Sequence, residues 1–204
     1  MTAADVPWID HARYPLADAL AAVELRGLAR GARLVDDLLK AADVRVLASE
    51  VFSGARHLVL VDGGVESLGL AYDAALAVGG DRVLDAMILP HAHPALGAAL
   101  GGTLMTRYDE DAAILLVETE TLSSTFRSVD AALKAVPVAL SSWRLGRGLG
   151  GRAVFALRGD HAHLEAAEEA VVDAAGGALL DVELIPRPDP AGLWEHPFGQ
   201  GAVS

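Results

Sequence analysis

The chain carries one sequence pattern twice, and this duplication limits the folds available to it. Glu24 of the first copy matches Glu118 of the second, 94 positions later. After a glycine-containing stretch the spacing becomes 96, so that Arg56 matches Arg152. Further identities pair Arg33 with Arg127, Asp36 with Asp130, Lys40 with Lys134, Asp85 with Asp181 and Pro90 with Pro186. A repeat of about 80–95 residues is too long for a solenoid unit and is typical of a duplicated small domain.

The distribution of lysine supports the duplication. Lys40 and Lys134 are the only lysines in the sequence, and they occupy the same position of the repeat. Every other residue of the Lys and Arg total is arginine. Two lysines at one repeat position indicate two copies of one domain.

Composition excludes several classes of protein. A net charge of −12 argues against nucleic-acid binding through a basic face. The absence of cysteine excludes disulfides, iron–sulfur clusters and thiolate zinc sites, and it fits a reducing cytoplasm. The first 20 residues lack a basic segment and carry three aspartates, so no secretory signal is expected. No apolar run approaches the ~18–20 residues that span a bilayer, so no membrane association is expected.

Each copy predicts the order strand–helix–strand–strand–helix–strand, from its apolar periodicity and its Gly and Pro breaks. In the first copy, predicted strands cover 19–24, 44–49, 57–61 and 82–89, and predicted helices cover 28–42 and 65–78. In the second copy, predicted strands cover 112–118, 138–143, 152–158 and 178–185, and predicted helices end near 134 and 175. A short extra helix is predicted at 94–101. This order is that of a ferredoxin-like domain, an α+β fold with both helices on one face of an antiparallel sheet.

The predicted boundaries divide the chain into two domains with short flanking segments. We expect an N-terminal extension at 1–17, a first domain at 18–104, a linker at 105–111, a second domain at 112–195 and a C-terminal tail at 196–204.

The repeat resembles the shell proteins of bacterial microcompartments. In the first copy the resemblance is carried by the helix ending Asp36-Asp37-Leu38-Leu39-Lys40-Ala41, and in the second by Asp130-Ala131-Ala132-Leu133-Lys134-Ala135. In both copies a Gly-containing loop follows the next strand, and the second copy closes with Pro186-Arg187-Pro188. The resemblance covers about residues 19–195. It implies two tandem, unpermuted shell domains in one subunit.

The resemblance also implies an assembly. Three subunits would form a homotrimeric, pseudohexameric tile, and tiles would join other shell hexamers and pentamers of the same compartment in the cytoplasm. The central pore would pass small metabolites. Neither a cofactor nor a metal is expected, and the iron–sulfur cluster that some tandem shell proteins hold through a pore-loop cysteine is excluded here.

The loops between the second and third strands of each copy are predicted to line the pore. Gly and Ser suit such loops because a narrow opening needs close approach of the backbone. Three copies of Arg147 would form an anion-favouring constriction, the alternative being that Arg147 points to solvent above the rim. Three copies of Phe52 would narrow the opening or form a hydrophobic collar. The predicted pore-lining residues are Phe52, Ser53, Gly54, Ala55, Gly146, Arg147, Gly148, Leu149 and Gly150.

Lys40, Lys134 and Arg187 match the positions at which the family places its tile-edge residues, and His91 stands at the place of Arg187 in the first copy. A long lysine stem can lie along a neighbouring tile while its ammonium donates to backbone carbonyls. The alternative for each lysine is a solvated cation at the end of a helix.

Other patterns give weaker indications. The pairs His91/His93 and His161/His163 lack further ligands at a suitable spacing, so no metal site is expected. The glycines of 146–151 precede a strand rather than a helix, which argues against a nucleotide loop. No acid, base or nucleophile has a catalytic setting, so an enzyme is the weakest interpretation. The main alternative to a shell tile is a small-molecule-binding regulatory protein built of duplicated ferredoxin-like domains.

Overall fold

The computed structural model describes residues 16–104, 112–189, 191, 192 and 198. The predicted linker at 105–111 lies outside the described residues, as do nearly all of the predicted extension and tail. The described residues include all of the first predicted domain and residues 112–189, 191 and 192 of the second, and each repeat has the predicted order of elements.

The first repeat contains four strands and two main helices, followed by a short helix. Its elements are β1 (Ala19–Arg26), α1 (Leu28–Ala41), β2 (Arg45–Phe52), β3 (Arg56–Gly63), α2 (Val65–Gly79), β4 (Val83–Pro90) and α3 (Pro94–Leu100). The second repeat contains β5 (Ala113–Thr119), α4 (Leu122–Ala135), β6 (Ala139–Leu145), β7 (Ala153–Gly159), α5 (His161–Ala175) and β8 (Leu179–Ile185).

Each repeat forms its own antiparallel sheet. The strand orders are β2-β3-β1-β4 and β6-β7-β5-β8, so the first strand of each repeat lies between the third and the fourth. This is the ferredoxin-like topology, and it confirms the predicted fold class.

The predicted β2–β3 loop at 52–56 is shorter in the structure. Phe52 pairs with Arg56 across the two strands, which leaves only 53–55 as a turn. The sequence pattern did not predict this, because Phe52 and Arg56 directly flank a Gly-containing turn. In the structure they continue the pairing of the two strands. The β6–β7 connection is longer and runs from 146 to 152.

The sheet of the first repeat is buried on both faces. Alternate β1 residues, Ala21 and Val23 among them, pack with α1 and α2 in one core. The intervening residues Leu20 and Ala22 belong to a second core, which continues into the second repeat. Since successive strand residues point to opposite faces, the almost continuous apolar run of β1 reflects burial on both sides.

Helix α4 covers the outer face of the first sheet. It packs against β1 and β4, and its Leu122 and Phe126 are fully buried in the same core as Met87 of β4. Each repeat therefore has its own helices on one face of its sheet. The first sheet also receives a helix of the second repeat on its other face.

We expect Gly31→Ala to destabilise the fold, because α1 approaches His57 closely at this position. A β-carbon at Gly31 would lie 2.6 Å from Cε1 of the His57 ring. The ring is buried and its Nε2 is 2.8 Å from Ser49 Oγ, so it has no free direction in which to move. Overpacking of this kind costs roughly 1–3 kcal/mol of unfolding free energy, measurable by urea denaturation.

Gly69→Ala in α2 is the matched control. Outside its own helix no heavy atom lies within 4 Å of a β-carbon at this position. Alanine should therefore stabilise α2 by up to roughly 1 kcal/mol, as expected for an unobstructed helical glycine. Equal stability of the Gly31→Ala and Gly69→Ala proteins would contradict the packing described for His57.

Candidate pore loops and tile edges

The turn at 53–55 is the first of the two predicted pore loops. Ser53, Gly54 and Ala55 are all exposed. Gly54 and Ala55 have φ angles of 78° and 58°, in the left-handed region. The carbonyl of Ala55 accepts a hydrogen bond from Gly27 N at 3.0 Å, which holds the turn against the beginning of α1.

The second predicted pore loop folds on its own backbone. The carbonyl of Gly146 accepts hydrogen bonds from Leu149 N at 3.2 Å and from Gly151 N at 3.1 Å. Four glycines of this loop have φ between 67° and 88°, a conformation that only glycine adopts without strain. They are Gly146, Gly148, Gly150 and Gly151. The glycines are thus required by the loop's own geometry.

The structure brings the two loops together through Phe52 and Gly146. The Phe52 ring is buried, and a β-carbon at Gly146 would lie 2.6 Å from its Cζ. The ring therefore fills the joint between the repeats. It does not project into solvent, and the hydrophobic collar predicted for Phe52 is wrong for this arrangement. Gly146 is also buried, and Leu149 is half-buried.

Arg147 is exposed, but its charge is paired. Its Nη2 and Nε lie 2.6 and 3.0 Å from Glu50 Oε1 of the first repeat. The ion pair joins the second loop to β2. The cationic character predicted for this loop is therefore reduced by a carboxylate that the sequence analysis did not associate with it.

A second ionic contact lies beside the loops. Arg56 donates to the Glu120 carbonyl at 2.7 Å and also binds the Glu120 carboxylate, which Arg152 Nε contacts at 3.1 Å. These arginines, Arg56 foremost, lower the pKa of Glu120. Ion pairs therefore join the two repeats both at Arg147 and Glu50 and at Arg56 and Glu120.

The two predicted edge lysines have equivalent local partners and different surroundings. Lys40 binds Asp36 one turn earlier, and this hydrogen bond raises the pKa of the lysine. Lys134 lies 2.6 Å from Asp130 in the same way. Asp36 is exposed, whereas Asp130 is buried and also accepts a hydrogen bond from His93 N at 2.7 Å. The two edges are therefore not equivalent within the chain.

The other two predicted edge residues lie at the ends of the fourth strands. His91 follows β4, has a φ of 59° and donates its N–H to Asp18 O at 2.8 Å. Arg187 follows β8 and is exposed. These positions are equivalent in the repeat, and both are accessible in the chain.

Sequence reasoning did not find an acidic pair between the repeats, in which Glu24 is buried and Asp85 is half-buried. Glu24 and Asp85 stand opposite each other on β1 and β4. Glu24 Oε1 accepts from Ser123 N at 2.5 Å, while Asp85 accepts from Thr121 Oγ1 at 2.5 Å and from Arg127 Nη1 at 2.9 Å. The pair therefore binds the first turn of α4.

Burial dominates the electrostatics of Glu24. It raises the pKa of this carboxyl to about 7, and the N–H of Ser123 opposes the shift. Glu24 Oε2 is buried without a hydrogen-bond partner among the described residues. The sequence showed Glu24 only as a repeated identity, because nothing local indicates that α4 covers it.

In the part of the chain that the structure describes, no group of three or more His, Cys, Asp or Glu side chains is placed to hold a metal ion. His161 and His163 instead lie within 3.6 Å of Glu165 and 3.5 Å of Asp160, respectively. Among the helices of residues 16–104 and 112–189, none is both long and apolar enough to cross a membrane.

Comparison with known proteins agrees with this architecture. The model of the BMC domain matches the chain twice, over residues 19–92 and 113–188. The chain belongs to the bacterial microcompartment domain family. Both matches fall within the two repeats, and the family predicted from the sequence is confirmed.

Individual relatives share this architecture along most of their length. The bacterial microcompartment shell protein PduT of Citrobacter freundii is 28% identical over 183 residues, which cover 89% of this chain and 98% of the relative. A microcompartment protein from Desulfitobacterium hafniense DCB has a crystal structure with a TM-score of 0.70 and 32% identity, over 84% of this chain and 95% of that one.

A more distant structure shares the fold alone. The fused permuted hexameric shell protein MSM0275 from the RMM microcompartment is 21% identical, with a TM-score of 0.56 over 79% of this chain and 83% of that one. Family membership and these likenesses make the chain a structural component of a microcompartment shell.

The Glu24→Gln variant should be less sensitive to pH than the unchanged protein. An unfolded glutamate ionises near pH 4.5, whereas folded Glu24 keeps its proton up to about pH 7. Between these values the folded state binds more protons, so stability falls as pH rises. Glutamine can still accept from Ser123 N and does not ionise.

Relative to Glu24→Gln, the unchanged protein should lose roughly 2–3 kcal/mol of unfolding free energy between about pH 5 and about pH 8.5. Urea denaturation at several pH values measures this. Glu66→Gln, at an exposed site at the beginning of α2, serves as the control and should keep the pH dependence of the unchanged protein. Parallel pH profiles for all three proteins would show that Glu24 ionises normally.

Proposed function

We propose that three copies of this chain close head to tail into a pseudohexameric shell tile with a central pore. The observation that carries the proposal is the unequal burial of two equivalent helices. Ten residues of α4 are buried, whereas only Gly31, Leu34 and Leu38 are buried in α1. Both first helices cover the sheet of their own repeat, but only α4 also covers the sheet of the other repeat.

The exposed face of α1 corresponds to the face of α4 that covers the first sheet. Leu28 and Leu39 are 46% and 48% exposed. Their repeat equivalents Leu122 and Leu133 are buried. Burying this face of α1 against a second copy would remove apolar surface from water at about 25 cal/mol per Å².

Part of the outer face of the second sheet is exposed, at the place where α4 covers the first sheet. Met87 of β4 is buried beneath α4, while its repeat equivalent Glu183 of β8 is exposed. The chain thus presents an exposed face of α1 and a partly exposed outer face of the second sheet, on which Ile114 and Ala156 are buried. Such a heterologous contact closes into a ring when its rotation permits, and six repeats correspond to three chains.

The two loops would then surround the axis of this ring. Ser53, Gly54 and Ala55 are exposed on the first loop, and Arg147, Gly148 and Gly150 on the second. Three copies of each loop would form an opening that is only pseudo-six-fold, because the second loop is longer. We propose that small metabolites pass through it.

The rim would carry the contacts between tiles. Lys40 and Lys134 occupy equivalent positions at the ends of α1 and α4, and Arg187 and His91 occupy equivalent positions after the fourth strands. We propose that these four residues contact neighbouring shell hexamers and pentamers in the cytoplasm. The chain would have a structural role and no catalytic one.

Assembly tests this function directly. The purified protein should sediment as a trimer and form flat sheets or tubes at high concentration, visible by negative-stain microscopy. A regulatory protein would stay a discrete oligomer without sheets. A monomer at all concentrations would contradict the tile.

Lys40→Glu should keep the trimer and lose the sheets. The change reverses an exposed charge beside Asp36, and like charges along a shared tile edge repel. Sedimentation measures the trimer and microscopy the sheets. His161→Ala, an exposed change at the beginning of α5, is the control and should leave both assemblies unchanged. Sheets of normal extent from Lys40→Glu would exclude this edge role.

Changes at Arg147 and Glu50 should shift the ion preference of the pore in opposite directions. Arg147→Ala leaves the Glu50 carboxylate unpaired and favours cations, whereas Glu50→Gln leaves Arg147 unpaired and favours anions. Reversal potentials across planar bilayers containing the protein measure the ratio of anion to cation permeability. We expect this ratio to change by at least about twofold in each direction. Identical ratios for both variants would place the ion pair away from the pore.

A further inference from the structure

We propose that Glu118 and Asp181 form a docking site for α1 of a second copy of this chain, in which Arg33 of that copy pairs with Asp181. The inference rests on the trimeric tile proposed above. It adds the charged groups that decide which surface the second copy recognises.

The strand registers define the equivalence. Glu24 stands opposite Asp85 on β1 and β4, and Glu118 stands opposite Asp181 on β5 and β8. In both repeats the register shifts directly after the glutamate, by the same irregularity. The two acidic pairs therefore occupy the same place on the outer faces of two copies of one sheet.

The first acidic pair shows what such a site binds. Arg127 of α4 donates to Asp85 Oδ1 at 2.9 Å and to Ala174 O at 2.7 Å. Ser123 N, in the first turn of α4, donates to Glu24. Arg127 is 26% exposed and Asp85 16% exposed, so the contact is largely removed from water.

The second acidic pair has no such helix among the described residues. Glu118 is 39% exposed and lies 3.7 Å from Arg152 of its own repeat. Asp181 is exposed, and its Oδ1 accepts from the neighbouring Val182 N at 3.0 Å. Asp85 accepts from Ala86 N in the same way, at 2.8 Å. The carboxylates thus have the same local conformation in both repeats.

Helix α1 carries the complementary groups. Arg33 is the repeat equivalent of Arg127, but it is 70% exposed and reaches only Asp37 on its own helix, at 3.2 Å. The first turn of α1 has no side-chain cap, since its N-cap is Gly27. Glu118 of the neighbouring copy would supply the anion that this helix end favours.

One contact that is attractive inside the chain would be repulsive at the equivalent place between two copies. Inside the chain Arg56 binds Glu120, whereas the equivalent residues Arg152 and Arg26 are both cationic. Glu118 and Glu120 already contact Arg152 and would partly neutralise it. The interface between copies therefore depends more on Asp181 and Arg33 than the internal interface depends on its equivalent pair.

A charge exchange tests the pairing. Arg33→Asp and Asp181→Arg should each raise the concentration of half-dissociation of the trimer about hundredfold, because each places like charges together. The double variant Arg33→Asp/Asp181→Arg should restore most of the affinity. Sedimentation velocity measures the oligomer, and circular dichroism checks that each chain is folded.

Lys40→Asp is the matched control, since Lys40 is another exposed cation of α1 with an aspartate one turn away. It should remain trimeric. Single variants that remain trimeric, or a double variant that stays dissociated, would overturn the pairing while leaving the tile intact. A monomeric unchanged protein would overturn the tile and the pairing together.

Discussion

The contact of α4 with the outer face of the first sheet determines how the two repeats are arranged. It places the carboxyl group of Glu24 against the first turn of α4 and buries Glu24 together with Leu122 and Phe126. The apolar burial provides the driving force, and the hydrogen bonds to the acidic pair fix the position of the helix along the strands. Without this contact each repeat would have the same uncovered sheet face.

The loops and the edges both follow from this contact. With α4 on the first sheet, the two glycine-containing loops meet, and Phe52 fills the space that Gly146 leaves. The same arrangement buries Asp130 and leaves Asp36 exposed, although both belong to equivalent lysine pairs. The duplication thus produces similar domains with different surroundings, as a heterodimer of one fold would.

Part of the candidate site could be predicted from the sequence, and part could not. Glycine and the Lys-Ala helix endings are local signals, so the sequence predicted roughly where the two turns and the two helix ends lie along the chain. The edge role of the lysines stays a prediction. The pairing of Arg147 with Glu50 joins residues 97 positions apart and depends on the contact between repeats. Phe52 looked like a loop residue because its burial comes from Gly146 of the other repeat, which no local pattern reveals.

The sequence by itself determined the duplication, the order of strands and helices and the ferredoxin-like class, because apolar periodicity and glycine breaks act over short distances. Only the tertiary structure decided which of the equivalent surfaces are covered. Glu24 and Glu118 match in sequence, yet one is buried with a raised pKa and the other is partly exposed. Their environments differ because α4 covers Glu24 on the first sheet, whereas no helix of the described residues covers Glu118 on the second.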